Sequence, residues 1–172
     1  MHAYQRIPFF AAYTMDAQTV TDALWAAASR ASKPIKVMLD EEATLQGQTR
    51  SQPEQARLLA THGGIDLRLC RGLPLTSTYA EAGRGLSTKF AHRLGSLHAK
   101  AALVGNQLFV GSCNWTVSSR ANTELCVRIN LGVEDLKAAT EEFSAIFATG
   151  EDMRIADGRV AKEGRQSAQF RS

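Results

Sequence analysis

The first 70 residues alternate short apolar runs with helical segments, and this order is the feature that most restricts how the chain can fold. The apolar runs predict three β-strands, at Ile7–Met15, Ile35–Leu39 and Ile65–Cys70. The residues between them predict a helix that Asp16 caps and that ends near Ser29, then a polar turn-rich stretch over Glu41–Gln52, then a helix over Glu54–His62. This order is typical of a parallel sheet with crossover helices, so we predict an α/β fold.

The second half of the chain predicts a long loop followed by a return to regular structure. Arg71–Ser96 is rich in Gly, Ser and Thr and carries several cationic side chains, which indicates a long loop, and such loops are usually functional or disordered. Leu125–Ile129 predicts a strand, and apolar residues recur at helical spacing over Val133–Ala148. We therefore predict one domain over residues 1–150 and a polar C-terminal tail over residues 151–172 that frays.

The stretch Leu97–Glu124 combines a predicted hairpin with several polar residues of chemical interest. Gly105-Asn106 separates two apolar runs, and both residues tolerate the positive φ angles of a tight turn. Because side chains alternate along a strand, His98 and Lys100 are predicted to project from the same face.

Three registers of this hairpin place the returning strand differently. A two-residue turn puts Ser112 and Asn114 on the face opposite His98. A three-residue loop with a bulge shifts the pairing by one residue, so that His98 faces Asn114. In the third arrangement the second strand ends at Gly111 and the chain turns there. We favour the last two because they gather the polar groups, and on this reasoning a plain two-residue turn is incompatible with a shared site.

Composition is ordinary for a soluble globular protein, with 44% hydrophobic and 22% charged residues. The net charge of +3 is compatible with phosphate-bearing partners but does not identify them. Cys70, Cys113 and Cys126 contain no CxxC pair, which indicates reduced thiols rather than a disulfide framework or a zinc site. No apolar run approaches the roughly 18 residues of a transmembrane helix, and the N-terminus lacks the features of a signal peptide. We expect an intracellular protein, cytoplasmic or associated with an organelle.

His98-x-Lys100, followed by Gly111-Ser112-x-Asn114 and then Glu124, resembles the HKD signature of the phospholipase D superfamily, HxKxxxxD followed by GSxN. Asn-Trp-Thr at 114–116 and Asn-Thr-Glu at 122–124 are similar to its small single-motif members. Those members are the bacterial Nuc-type endonucleases and the mitochondrial cardiolipin hydrolase (Zucchini) group. The resemblance covers about residues 9–147 and implies a single-domain, mixed, largely parallel β-sheet with helices on both faces.

The sequence departs from the family pattern at three places. Gly105 occupies the position of the motif aspartate. The first strand and helix of the family are either missing or lie upstream of Met1. The loop over Arg71–Ser96 is longer than in the compact nuclease members.

The resemblance implies a catalytic role for five residues. In the family one histidine attacks phosphorus and forms a phosphohistidine, and a second protonates the leaving oxygen and then activates water. Carried over, His98 is the nucleophile, Lys100 and Asn114 hold the phosphate oxygens, and Ser112 adds a hydroxyl donor. Glu124 is expected to accept a hydrogen bond from Nδ1–H of His98, which would set the tautomer of the ring. Imidazole suits both tasks because its pKa lies near neutrality.

The chain has one HxK pair, whereas the family chemistry uses two histidines. The resemblance therefore implies a homodimer in which His98 of both subunits meets in one site. No metal ion or other cofactor is implied.

Two substrate classes and one non-enzymatic role fit the sequence. Arg84, Lys89 and Arg93 precede the motif, are predicted to bind substrate, and favour nucleic acid. Apolar residues of the same loop favour a phospholipid such as cardiolipin, and the chemistry at phosphorus is the same for both. Gly105 favours the alternative of a catalytically weak or inactive phospholipase D-like protein that binds a phosphodiester or acts as a scaffold.

Overall fold

The computed structural model describes residues 9–46, 51–74, 94–156 and 159–162. Its strands are β1 (Phe9–Ala12), β2 (Ile35–Asp40), β3 (Ile65–Pro74), β4 (Leu94–Ser96), β5 (Lys100–Val104), β6 (Gln107–Gly111), β7 (Cys126–Asn130), β8 (Glu151–Ala156) and β9 (Arg159–Lys162). Its helices are α1 (Gln18–Ala28), α2 (Glu41–Leu45), α3 (Gln52–Ala60) and α4 (Val133–Thr149), with a 3-10 turn at Ser118–Ala121.

The strands form one mixed sheet in the order β7-β6-β5-β1-β2-β3-β8-β9, with β4 paired to β3. Strands β1, β2 and β3 are parallel, as their alternation with helices predicts. The neighbours on either side, β5 next to β1 and β8 next to β3, run antiparallel. The α/β class and the mixed sheet are confirmed, and the parallel part is its centre.

Helices cover both faces of the sheet, because the central strands are apolar on both sides. On β1, Phe10 and Ala12 belong to a core that includes Leu24 of α1 and Leu59 of α3. Phe9 and Ala11 point to the other face, where Phe143 and Phe147 of α4 pack. A strand buried on both faces reads as a continuous apolar run, which explains the pattern of its sequence.

The hairpin turn differs from the favoured interpretation. Val104 pairs with Gln107, so Gly105-Asn106 is a plain two-residue turn, and Gly105 has a φ of 59°. The expectation that this turn is not a plain two-residue one is therefore wrong, whereas β6 ends at Gly111 and the chain turns there, as in the third arrangement, one of the two that were favoured. A Cβ at Gly111 would lie 2.5 Å from the carbonyl oxygen of Leu125, so the close approach of β7 requires glycine.

Two local predictions in the first half are wrong. Asp16 does not cap α1, whose N-cap is Ala17; its Oδ1 instead accepts a hydrogen bond from the backbone N–H of Val117 at 2.8 Å. The stretch predicted as turns contains α2, which Asp40 caps by accepting from the N–H of Ala43 at 2.8 Å. A carboxylate just before a helix can therefore accept its hydrogen bond from a distant segment instead of capping the helix.

The predicted loop over Arg71–Ser96 is partly regular, because β3 continues to Pro74 and pairs with β4. Residues 75–93 of this loop lie outside the described residues. The prediction of a frayed tail after Gly150 is wrong for β8 and β9, since β8 pairs with β3 and β9 pairs with β8. Among the described helices, none has both the length and the apolar character needed to cross a membrane.

Candidate active site

His98 lies on the short connection before β5, at the end of the sheet where β1 stops. Because β5 runs antiparallel to β1, its first residue, Lys100, pairs with the last residue of β1, Ala12. One step further along, the backbone N–H of Tyr13 donates to the carbonyl oxygen of Ala99 at 2.9 Å. Two residues of the HxK segment, Ala99 and Lys100, are thus tied to the end of β1 and to Tyr13.

Lys100 and Tyr13 enclose the His98 ring. Nζ of Lys100 lies 3.1 Å from Nδ1 and 3.3 Å from Nε2 of His98, and it donates to the His98 carbonyl oxygen at 3.1 Å. The Tyr13 ring lies 4.5 Å from the His98 ring, centroid to centroid, and 5.2 Å from Nζ of Lys100. Although His98 itself is exposed, Lys100 is only 8% exposed. Burial lowers the pKa of Lys100, and the charge of Glu124 partly opposes this effect.

The second half of the motif is tied to Thr14, the residue that follows Tyr13 in the segment after β1. The backbone N–H of Trp115 donates to the carbonyl oxygen of Thr14 at 3.1 Å, and Trp115 forms an isolated parallel bridge with Met15. Tyr13 and Thr14, consecutive residues after β1, therefore hold the two halves of the motif side by side. The centroid of the Trp115 ring also lies 4.9 Å from that of Phe10, so this segment is packed against the hydrophobic core.

Asn114, just before this tie, is half-buried and has an unpartnered acceptor. Its Oδ1 is buried and has no hydrogen-bond partner. Leaving a buried polar atom without a hydrogen-bond partner costs about 1–3 kcal/mol of stability. Such atoms are often found at sites where a protein binds a ligand. The Asn114 side chain therefore lies next to the end of β1 with an acceptor that is free for another partner.

Ser112 and Glu124 form a separate hydrogen-bonded pair. The Ser112 hydroxyl donates to Oε2 of Glu124, and Nδ2 of Asn122 donates to its Oε1 at 3.1 Å. These bonds, the one from Ser112 first, lower the pKa of Glu124. The expected hydrogen bond from His98 to Glu124 is not formed, because both carboxylate oxygens face Ser112 and Asn122. Glu124 is linked to the histidine indirectly, through its electrostatic interaction with Lys100.

Asp40 is a supporting residue that sequence reasoning missed. Its carboxylate is 1% exposed and accepts the backbone N–H of Leu97 at 2.7 Å through Oδ2, while Oδ1 caps α2. Burial raises the pKa of Asp40, against the effect of these two backbone bonds. A carboxylate at the end of a predicted parallel strand was the available signal, because such ends carry sites in α/β sheets. Tyr13, at the end of β1, could have been found by the same rule.

A groove of about 700 Å³ opens beside His98. It lies between the segment from β4 to Ala99 and the last turns of α4. Its apolar lining includes Leu97, Ala99, Ala145 and Ile146, and its charged lining includes Arg71 and Glu142.

Arg84, Lys89 and Arg93, predicted to bind substrate, lie outside the described residues. Within the part of the chain that the structure describes, no group of three or more His, Cys, Asp or Glu side chains is arranged to hold a metal ion. Of the predicted catalytic residues, the structure therefore brings His98 and Lys100 into contact, pairs Ser112 with Glu124, and places Asn114 at the end of β1.

Comparison with known proteins shows the family of the chain and similar folds. A family described as "Cardiolipin synthase, PLD-like domain" matches residues 1–148. Nuc from Salmonella typhimurium, a phospholipase D family member, has a similar fold, with a TM-score of 0.66, 23% identity, and coverage of 89% of this chain and 84% of that chain. NucT from Helicobacter pylori is similar with a TM-score of 0.65, 18% identity, and coverage of 83% and 79%. No curated protein sequence matches this chain.

Proposed function

Because this chain belongs to the family of cardiolipin synthase PLD-like domains, within the phospholipase D superfamily, we propose that it hydrolyses phosphodiester bonds through a phosphohistidine intermediate. The contact between His98 and the buried Lys100 is the observation that carries this proposal. The exposed imidazole provides a nucleophile, and the lysine held against it provides a positive charge. The two are close enough to act on the same phosphate group. We propose nucleic acid or a phospholipid of the cardiolipin kind as the substrate.

Each residue of the site has a part in the proposed reaction. A ring nitrogen of His98 attacks phosphorus, and the bond to the leaving oxygen breaks as that oxygen takes up a proton. Lys100 and the amide of Asn114 bind the phosphate oxygens that carry charge in the transition state. Ser112 adds a hydroxyl donor when its proton, which it donates to Glu124 in this structure, turns to the phosphate. Water then attacks the phosphohistidine and releases the phosphate product, so that His98 is restored.

We propose that the proton comes from His98 of a second subunit in a homodimer. Only one HxK pair is present in the sequence, and the proton transfers need a second group with a pKa near neutrality. Apolar side chains next to the site support a contact between subunits, since Leu125 is 73% and Val117 58% exposed. Sedimentation analysis of the purified chain tests the dimer, and a monomer that retains full activity would contradict it.

The activity is tested in three separate reactions, each with EDTA present. The substrates are single-stranded DNA, cardiolipin vesicles and bis(p-nitrophenyl) phosphate. We expect cleavage of at least one substrate that the variant His98→Asn does not cleave. Acid quenching with a ³²P-labelled substrate should trap label on the wild-type protein and none on His98→Asn. Absence of cleavage of all three substrates would contradict the proposal and favour the scaffold alternative.

A further inference from the structure

The segment Tyr13–Met15 follows β1, lies outside the named helices and strands, and brings the two halves of the motif together. It carries the backbone bonds to Ala99 and from Trp115. Buried backbone groups outside a regular ladder need partners elsewhere, and Met15 is fully buried. Whatever fixes this segment therefore also fixes the geometry of the site. The inference below rests on the proposed hydrolysis at His98.

The side chain of Gln52, the first residue of α3, binds both ends of this segment. Its Nε2 donates to the carbonyl oxygen of Tyr13 at 3.2 Å, and its Oε1 accepts from the backbone N–H of Met15 at 3.3 Å. Thr14, whose carbonyl oxygen accepts from Trp115, lies between these two contacts. One side chain therefore holds the backbone on either side of the point where the second half of the motif is attached.

The orientation of the Gln52 amide is fixed by a third partner, Thr44. Nε2 of Gln52 also donates to the hydroxyl oxygen of Thr44 at 3.1 Å. The proton of that hydroxyl is already donated to the carbonyl oxygen of Asp40 at 2.6 Å, so the Thr44 oxygen is an acceptor here. A flipped amide would set its oxygen against two other oxygens and its NH₂ group against the N–H of Met15, so only the observed orientation satisfies all three contacts.

Glutamine suits this position because it combines donors and an acceptor in one neutral side chain. Gln52 is 0% exposed, and burying a hydrogen-bonded neutral amide costs far less than burying a charge. An apolar side chain could satisfy neither the Met15 N–H nor the Tyr13 carbonyl oxygen.

We propose that Gln52 is a positioning residue for the reaction at His98. Because it is buried, it does not contact a substrate, and it acts through the backbone on either side of Thr14. The Tyr13 ring lies 4.5 Å from the His98 ring, so a displacement of this backbone moves a surface against which the nucleophile rests. A displacement of about 1 Å can cost 10²-fold in rate, which predicts a loss in kcat and little change in KM.

Gln52→Met tests this proposal, with Gln55→Met as its matched control. Gln55 is a buried glutamine of the same helix, but its amide bonds to Thr21 and Gln18 instead of the segment after β1. In Gln52→Met, kcat for bis(p-nitrophenyl) phosphate should fall about 10- to 100-fold, with KM within about twofold of the wild type. Gln55→Met should keep both constants. Urea unfolding should show a comparable loss of stability in the two variants, because each leaves buried polar groups without partners.

The His98 ring gives a second readout that does not depend on turnover. Because the Tyr13 ring lies against it, the NMR chemical shift of the His98 Cε1 proton should change in Gln52→Met and stay constant in Gln55→Met. Gln52→Asn is a milder variant, polar but shorter by one methylene, and should move this resonance in the same direction. Should Gln52→Met fail to fold, Gln52→Asn takes its place in both measurements.

The outcomes separate this proposal from the proposed activity. An equal loss of kcat in Gln52→Met and Gln55→Met would overturn it, because Gln52 would then only stabilise the fold. An unchanged His98 resonance, or a rise in KM with kcat unaffected, would overturn it as well. If the wild type cleaves no substrate in a His98-dependent way, the proposed activity fails, and the resonance alone decides whether Gln52 holds the site.

Discussion

Oδ2 of Asp40 accepts the backbone N–H of Leu97 at 2.7 Å, across 57 positions of the sequence and one residue before His98. The carboxylate sits at the end of β2 and is almost fully buried. It fixes the backbone from which the histidine side chain projects, while the histidine ring itself is held by Tyr13 and Lys100.

Asp40→Asn should lower kcat about 10- to 100-fold and leave KM nearly unchanged. An amide has one acceptor oxygen, so it can serve only one of the two backbone donors, Leu97 and Ala43. Where the bond to Leu97 is the one lost, His98 is less well placed for attack. A cost in unfolding free energy of about 1–3 kcal/mol should accompany it. Thr44→Val is the matched control, because it removes the hydrogen bond from Thr44 to the Asp40 carbonyl oxygen without touching Leu97. An equal loss of kcat in both variants would mean that the whole junction between β2 and α2, and not the bond to Leu97, supports activity.

Lys100→Met should abolish most activity, by about 10²–10³-fold, without destabilising the fold at neutral pH. Burial lowers the pKa of Lys100 in the folded chain relative to its value of 10.5 when unfolded. Between these two values the unfolded chain binds more protons, so the stability of the wild type should rise with pH in that alkaline window. Lys100→Met should lack this rise, as measured by urea unfolding between pH 8 and 11. Lys137→Met, at an exposed position of α4, should keep it. A stability difference between wild type and Lys100→Met that does not depend on pH would refute this account.

Ser112→Ala and Glu124→Gln should each reduce kcat about tenfold, and the double variant should be little worse than either alone. The two side chains act as a unit, since Glu124 orients the Ser112 hydroxyl. The pKa of Glu124 is lowered, so its carboxylate stays charged until the pH falls through that lowered value. The hydrogen bond from Ser112 is strongest while the carboxylate is charged. A double-mutant cycle on bis(p-nitrophenyl) phosphate measures the coupling, and full additivity of the two effects would show that they work independently.

Gly105→Asp, which restores the motif aspartate, should change turnover by less than about threefold. The turn lies at the opposite end of β5 from Lys100, about 17 Å away at the rise of an extended strand. A Cβ there meets no atom within 4 Å, so the substitution has room, and the φ of 59° is one that aspartate tolerates at a modest cost. Gly105→Ala controls for the backbone conformation alone. A gain of several orders of magnitude in Gly105→Asp would mean that the natural chain is close to inactive.

The parallel centre of the sheet was predictable because β1 and β2 are largely apolar runs, β3 begins with alternating apolar residues, and helical segments separate them. The pairing within the motif was harder, because a hairpin register says nothing about where a strand ends. At Gly111 the end is set by the close approach of Leu125, which is a tertiary contact. The roles of Tyr13 and Asp40 depend on hydrogen bonds and ring contacts between distant segments, so spacing alone could not reveal them. Asp16 illustrates the same limit, since its partner Val117 lies 101 positions away.

The ties at Tyr13 and Thr14 have a consequence for the order in which the site can form. The residues they hold, Ala99 and Trp115, are far along the chain from β1, and contacts of such separation carry a large loop-closure cost. During synthesis the tie at Tyr13 can close only after Ala99 has emerged, and the tie at Thr14 only after Trp115 has emerged. The site should therefore be completed late, and amide exchange at Tyr13 and Trp115 should report on the opening of the two ties.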